Sequence, residues 1–354
     1  MATEFTILGA GLLGRLMAWR LLVSGQTVTL IDKDLSGKNS AGLAAAAMLA
    51  PVSEALDADE AIFTQGINNL SVWPLWVEEL RQLTQQSVEC KLEGSLIVAH
   101  SLDRHLMDQL ATKLKHKAFI SGQAYQPLNN KELHALEPIL SDQFESGFYF
   151  KPEGYIDNQQ LFNALKKAID VLGGQWIEQD YQQSDMDKNA SFIIDTRGIG
   201  SKSSLNNLRA VRGEIMTVQA PEVNLNRPVR LLHPRYQLYI SPRSHRRYII
   251  GATQIESSSE AAITVRSSLE LLSALYAIHP GFGEAHILDQ QAKLRPAFDH
   301  HLPEIQFNQH KLTINGLYRH GYLLAPSVIE QALNQIGIAT HAPWPAICYN
   351  LEEQ

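Results

Sequence analysis

The first thirty residues pass through apolar runs of two different periods. Phe5-Thr6-Ile7-Leu8 is short and β-rich and leads at once into Gly9-Ala10-Gly11-Leu12-Leu13-Gly14. Leu12 to Val23 is apolar at helical spacing and stops at Ser24-Gly25, which predicts a helix. Thr27-Val28-Thr29-Leu30-Ile31 predicts a second strand, closed by Asp32. Ser36 to Ser40 reads as a loop. Ala41 to Ala50 is almost wholly small and apolar and ends at Pro51, a pattern that suggests a helix with close backbone packing. Asp57 to Leu83 predicts a long helix with Trp73 and Trp76 on one face.

Further on, Ser95–Ala99 and Gly147–Phe150 predict strands, and Gln160 to Leu172 an amphipathic helix ended by Gly173-Gly174. A strand starts at Trp176-Ile177, and Phe192-Ile193-Ile194-Asp195 is another, with Gly198 and Gly200 just beyond. From about Leu208 to Thr253 the pattern is mostly β, with strands at Val211–Val218, Gln237–Ser241 and Arg247–Gly251. Ser267 to Ile278 predicts a helix, Lys311–Ile314 a strand, and a last helix begins near Leu323. Thus α/β material opens and closes the chain around a β-rich block. The expected fold class is α/β with an α+β second domain. A discontinuous Rossmann-like domain would carry an inserted, β-rich substrate-binding domain. Residues 1–85, 148–204 and 295–354 are assigned to the first and 86–147 and 205–294 to the second.

A length of 354 residues agrees with about two domains. With 45% hydrophobic and 19% charged residues, a largely disordered chain is excluded. Thirty Lys and Arg against 37 Asp and Glu give a net charge of −7, which argues against a nucleic-acid partner. Cys90 and Cys348 are far apart, so the fold is not built on disulfides, and two isolated thiols fit a reducing compartment. Arg15 and Arg20 interrupt the apolar run from Ile7 to Val23, so no transmembrane segment is expected. Glu4 ahead of that run is unlike a signal peptide, and a cytoplasmic location is expected. The 13 histidines, His300-His301 included, show no metal-ligand spacing, and no metal is expected.

The glycine triplet is the strongest chemical signal. Gly9 permits a tight turn, Gly11 lets a pyrophosphate approach the backbone, and Gly14 lets helix and strand pack closely. The start of the helix offers free N–H groups and partial positive charge to phosphates. Asp32 stands 18 residues after Gly14, at the end of the second strand, where a carboxylate holds ribose hydroxyls. This fingerprint alone does not choose between NAD and FAD.

The segment Ser40-Ala41-Gly42-Leu43-Ala44-Ala45-Ala46-Ala47-Met48-Leu49-Ala50-Pro51 resembles the alanine-rich flavin loop of the D-amino-acid-oxidase-like flavoproteins. Within them it is most similar to the glycine oxidases of thiamine biosynthesis. Val211-Arg212-Gly213-Glu214 resembles their V-R-G-Q/E turn. Tyr239-Ile240-Ser241-Pro242-Arg243 through Ile250-Gly251-Ala252-Thr253 resembles Y-x-x-P-R…x-G-A-T. Leu294-Arg295-Pro296 resembles L-R-P, and Tyr318-Arg319-His320-Gly321-Tyr322-Leu323-Leu324-Ala325-Pro326 resembles Y-R-N-G-I-L-L-A-P. The similarity spans Ile7 to about Leu333.

There are departures. Ala47 stands where the family usually has glycine, and Gly42 where it has serine or threonine. After L-R-P the family runs D-G-x-P-x-I-G, whereas this chain reads Asp299-His300-His301-Leu302-Pro303-Glu304-Ile305-Gln306. Asp195-Thr196-Arg197-Gly198-Ile199-Gly200 replaces an A-x-G nucleotide motif.

The resemblance implies non-covalent FAD, because Cys348 lies too far along the chain to link to the ring. The nucleotide end would be held by Gly9, Gly11, Leu12, Leu13, Gly14 and Asp32, with Thr196 and Gly198. Ala45, Ala46, Ala47 and Met48 would lie against the ring. Arg295, Arg319, His320, Gly321, Tyr322 and Leu323 would complete the cofactor site. An amino-acid substrate brings a carboxylate, which a planar guanidinium holds with two prongs. Arg295 matches the family's carboxylate-binding arginine, Arg319 is the second candidate, Tyr239 matches a pocket tyrosine, and Gln254 sits where methionine is frequent.

The implied reaction is oxidative deamination of glycine or another small amino acid or amine, with hydride passing to flavin N5. The imine would then hydrolyse, and oxygen would reoxidise the flavin and form hydrogen peroxide. The alternatives are a dehydrogenase of D-amino or N-methyl amino acids that delivers electrons to a quinone, and a flavin-binding maturation or scaffold protein without turnover. The oligomeric state is left open.

Overall fold

A computed structural model of the chain describes residues 3–140, 142–181, 192–205, 207–235, 237–251, 254–308, 310–338 and 349–351. Ala252, Thr253 and Cys348 lie outside the described residues.

Two large sheets organise the chain. The first is seven-stranded, in the order Tyr349–Leu351, Glu304–Asn308, Lys311–Asn315, Phe192–Asp195, Glu4–Leu8, Thr27–Asp32, Gln175–Glu178. From Lys311–Asn315 to Gln175–Glu178 every pairing is parallel. Such strands are covered on both faces. Ile7, Leu30, Ile194 and Leu312 are accordingly fully buried.

The helices that cover this sheet are Leu12–Val23, Glu60–Thr84, Asn158–Val171 and Gly321–Gln335. Trp73 and Trp76 share a buried face of the long helix, in edge contact at 5.8 Å. Trp73 Nε1 donates to the Tyr322 carbonyl at 2.8 Å and ties that helix to the last one. The arginines inside the first apolar helix are also buried. Arg15 donates to the carbonyls of Ala10 and Leu35, each at 2.7 Å, and its guanidinium lies 5.1 Å from the ring centres of Phe162 and Trp176.

The second sheet has nine strands. Its order is Ile255–Glu256, Arg209–Gln219, Arg247–Gly251, Gln237–Arg243, Val229–Leu232, Ser95–Ala99, Ser146–Phe150, Tyr125–Asn129. His286–Ala297 pairs antiparallel with Arg209–Gln219 as well. Helix Val265–Ile278 supplies apolar residues to the core on one face, through Leu271, Ala274, Leu275 and Ile278. A parallel, helix-covered sheet and a second β-rich layer therefore agree with the α/β pattern. No described helix is long and apolar enough to cross a membrane.

The alanine-rich segment departs from expectation. Ala41 to Ala50 is no helix; it turns and bends into the two-residue strand Met48–Leu49. Its carbonyls are taken by distant side chains instead of by helical N–H groups. Asn158 Nδ2 donates to Leu43 at 2.8 Å and Ala45 at 2.9 Å and lies 3.3 Å from the Gly42 carbonyl. Tyr322 Oη donates to Gly42 at 2.8 Å, and Arg243 Nη2 to Ala46 at 2.7 Å. Ala47 adopts φ +48°, the left-handed region, which also breaks a helix. The small side chains let three other elements reach this backbone. Helix Arg104–His116, strand Tyr125–Asn129 and the twelve-residue strand His286–Ala297 were not marked by the sequence pattern.

Candidate cofactor and substrate site

A cleft of about 1700 Å³ is lined by both sheets. Ligand pockets for drug-sized molecules run to roughly 300–1,000 Å³, so this one has room for a dinucleotide and more. The Gly9–Leu13 turn, Asp32, the alanine-rich loop and the Leu317–Leu323 turn line it from the first layer, and Arg230, Tyr239 and Arg295 from the second.

The glycines of the turn do three different jobs. Gly9 has φ +97°, and a Cβ there would meet the Arg197 backbone at 2.9 Å. At Gly11 the nearest atom to a Cβ would be Ser40 Oγ at 3.7 Å, so the backbone stands open to the cleft. Gly14 is not on the lining; a Cβ there would overlap the Gly9 carbonyl oxygen and approach Thr196 Oγ1 at 2.8 Å. Its absence of a side chain lets the helix close on the strand.

Helix Leu12–Val23 begins at Gly11 with no side-chain cap and no acid in its first turn. Its leading N–H groups and dipole therefore remain for an anion. Asp32 accepts from Ala10 N at 2.6 Å and Asp34 N at 2.9 Å, one bond on each oxygen, which leaves lone pairs on both for hydroxyl donors. Thr196 Oγ1 donates to the Leu8 carbonyl at 2.9 Å and locks the third strand end beside the turn. Helix Gly321–Gln335 also begins without a side-chain cap, at His320, and a Cβ on Gly321 would meet only Leu12 Cδ2, at 3.9 Å. Two uncapped helix starts, a glycine-cleared turn and a ribose-ready carboxylate on one cleft fit FAD.

The wall of the cleft that faces the alanine-rich loop is set by sheet register. Tyr239 pairs with Gly251, Gly251 with Ile215, and Val211 with Arg295, so these residues share one face. Glycine makes room twice on it. The Arg295 guanidinium lies where a Gly213 side chain would stand, and the Tyr239 ring lies where a Gly251 side chain would stand. Gly213 and Gly251 are diagonal neighbours, roughly 7–8 Å apart by strand geometry. Arg295 and Tyr239 thus each lie over a glycine on the same face of the sheet. Ala44 and Ala46 pack with Ile215 and Ile249, and Met48 and Tyr239 border that cluster, so the alanine-rich loop sits on the same face.

The other candidates are engaged differently. Tyr318 Oη donates to Gln254 Oε1 at 3.1 Å, so Gln254 is tied to the turn before the last helix. Arg319 Nε lies 2.9 Å from Glu54 Oε2. Burial pushes the Glu54 pKa up, but Arg319, Arg230 and His320 outweigh it and hold the carboxyl down to about 2. Burial lowers His320 to about 4, only partly opposed by Glu54, so its imidazole is neutral at pH 7. In the segment that departs from the resemblance, the His301 ring stacks on Tyr318 at 5.0 Å and His300 Nε2 lies 3.0 Å from Glu304.

Of the residues named from the sequence, all but Gly14 line this one cleft. Asn158, Glu54 and Arg230 went unnamed. Asn158 is 113 to 116 residues from the carbonyls it serves and Arg230 is 176 from Glu54, separations that no local pattern encodes.

A family model described as FAD dependent oxidoreductase matches residues 4–330. The chain belongs to that family. This FAD-dependent oxidoreductase is 36% identical over 330 residues to a protein of Rhizobium etli named putative thiamine biosynthesis oxidoreductase ThiO, covering 93% of this chain and 94% of the relative. Its fold matches the crystal structure of glycine oxidase from Geobacillus kaustophilus with TM-score 0.80 at 21% identity, over 97% of this chain and 100% of the other. It also matches iminodiacetate oxidase from a Chelativorans species with TM-score 0.81 at 22% identity, over 98% and 99%.

Proposed function

We propose that this oxidoreductase oxidises the C–N bond of glycine or another small amino acid or amine, with Arg295 as the carboxylate ligand. The observation that carries the reading is the pair Arg295 and Tyr239, each laid over a glycine on the sheet face that meets the alanine-rich loop. FAD, when bound, supplies the acceptor for two electrons. The substrate loses one Cα–H and one N–H hydrogen, and water then converts the imine to an oxo-acid and ammonia. Arg295 would hold the carboxylate in a planar, two-pronged contact. Tyr239 would donate to the same carboxylate and close the cavity. Ala46 and Met48 would keep water from the reacting carbon. The uncapped N-terminus at Gly321 would favour negative charge as electrons arrive. The relative in Rhizobium etli supports a place in thiamine biosynthesis. The domain limits given from the sequence would put the cofactor mainly in the first unit, in a reducing compartment.

An anaerobic flavin-bleaching screen across amino acids and N-methyl amines tests this, because it needs no terminal acceptor. Bleaching with peroxide on readmitting air supports an oxidase. Bleaching without peroxide supports a quinone-linked dehydrogenase, and no bleaching by any amine supports a carrier or scaffold. Arg295→Ala should lower kcat/KM by ~2–5 kcal/mol of lost transition-state binding, tens to thousands of fold, with FAD content retained. Near-normal turnover in that variant would remove Arg295 from the site.

A further inference from the structure

The cleft carries more cationic side chains than a single carboxylate requires. Arg295, Arg230 and Arg319 all line it, and Glu54 stands among them. Arg230 Nη2 donates to Glu54 Oε1 at 2.7 Å, and Arg319 Nε lies 2.9 Å from Oε2. One carboxylate is therefore shared by two guanidiniums that come from different layers. Arg230 belongs to strand Val229–Leu232 of the second sheet, and Arg319 to the turn before helix Gly321–Gln335. Glu54 comes from the short helix Pro51–Ala55 that directly follows the alanine-rich loop. His320 Nδ1 is 3.4 Å from the same Oε2. The Arg319 contact is at ion-pair distance but lacks hydrogen-bond alignment, so Arg319 is held mainly by charge.

We propose that Glu54 is a specificity-determining residue: by engaging Arg230 and Arg319 it withholds both from the substrate, and it restricts the cleft to amino acids with one carboxylate. The inference rests on the reading that Arg295 takes that carboxylate. Glu54 acts against a second substrate carboxylate in two ways. It occupies the Arg230 and Arg319 guanidiniums, and it presents a like charge to any second carboxylate that approaches those two. Removing the charge while keeping the shape releases Arg319, the less well aligned of the two partners.

The experiment uses the FAD-bound protein and two carboxylates that cannot be oxidised as amines, acetate and malonate, titrated against the flavin absorbance. Wild type should bind acetate in preference to malonate. Glu54→Gln should gain malonate affinity by roughly 10–100-fold, the value of a charge-assisted hydrogen bond, with little change for acetate. Glu54→Asp keeps the charge and should keep the wild-type preference, which a merely structural role would not predict. The double variant Glu54→Gln/Arg230→Gln removes the partly buried guanidinium of strand Val229–Leu232 with its partner, still releases Arg319, and should show the same gain if the single variant does not fold. A malonate-to-acetate ratio unchanged in an FAD-loaded Glu54→Gln or double variant overturns the proposal, as does a wild type that prefers malonate. Unchanged acetate affinity in Arg295→Ala would defeat the Arg295 reading instead, and the two failures are thus distinct.

Discussion

Gly213→Ala tests the proposed carboxylate site without altering a charge. Gly213 lies inside strand Arg209–Gln219 and is not among the residues with positive φ, so alanine fits the backbone without strain. The added methyl would overlap the Nη2 and Cζ atoms of Arg295 and stand 2.6 Å from its Nε, where ordinary contact begins at 3.4 Å. The guanidinium must therefore withdraw by about 0.8 Å or more. Because the obstructing group is the end of a flexible side chain, folding should hardly suffer. Replacing glycine at a compatible position stabilises by ~0.4–1 kcal/mol through the unfolded chain, so the melting temperature should hold or rise slightly. Chemistry is less tolerant: a misplacement near 1 Å at a positioning group costs as much as ~100-fold. The assay is stopped-flow reduction of the bound flavin under nitrogen across a series of glycine concentrations, with FAD content and melting temperature from the same preparation. The expected result is a rise in half-saturating glycine and a second-order rate constant lowered by roughly 10–100-fold, with FAD fully retained. A rate constant within a few fold of wild type would refute the reasoning, because the displaced guanidinium would then have no part in holding substrate.

Two other outcomes follow from the surroundings of the proposed cofactor site. Asn158→Ala takes the donor from the Leu43 and Ala45 carbonyls and the nearby Gly42 carbonyl, and should weaken FAD binding by ~1–3 kcal/mol. Fluorescence titration of FAD into the deflavinated protein measures this, and unchanged affinity would mean that Tyr322 and Arg243 suffice to hold the loop. His320 has its pKa lowered from 6.5 to about 4, so the unfolded chain takes up a proton at a higher pH than the folded one. Stability that is fully present above pH 6.5 should fall as the pH drops toward 4, by on the order of 3 kcal/mol from this residue. Urea midpoints between pH 7 and pH 5, above the range where the carboxylates titrate, should show the upper part of that slope, and His320→Gln should reduce it, while His100 and His301, whose values are also lowered, still contribute in the same direction.

The nucleotide half was legible because its signals are local. A β-run, a glycine turn, an apolar helix and an acid follow one another in the first 32 residues, and each has one physical use. The alanine-rich segment misled because small apolar residues look helical by propensity, while its conformation is decided by Asn158, Arg243 and Tyr322, which satisfy its carbonyls from elsewhere in the chain. Strand His286–Ala297 was hidden because it passes from exposed to half-buried without alternating, and because Pro296 lies within it. The reason for glycine at 213 and 251 is likewise invisible in one dimension, since the side chains that fill those spaces belong to other strands. Glu54 illustrates the same limit for charge, because its value as a shared counter-ion exists only once Arg230 and Arg319 have arrived.

The strand order of the parallel sheet has a consequence for the chain during its synthesis. Glu4–Leu8 is flanked by Thr27–Asp32 on one side and by Phe192–Asp195 on the other, and the latter is flanked in turn by Lys311–Asn315. The ribosome thus delivers the Gly9–Gly14 turn some 300 residues before its last structural neighbours. At ~5–20 residues per second the interval is roughly 15–60 s. Throughout it, helix Leu12–Val23, with buried side chains on every face, has no Gly321–Gln335 to pack against. The nascent chain therefore spends that period with sticky apolar surface uncovered and with no complete cofactor cleft. A cleft that can hold a dinucleotide therefore exists only after Lys311–Asn315 and Gly321–Gln335 have been added.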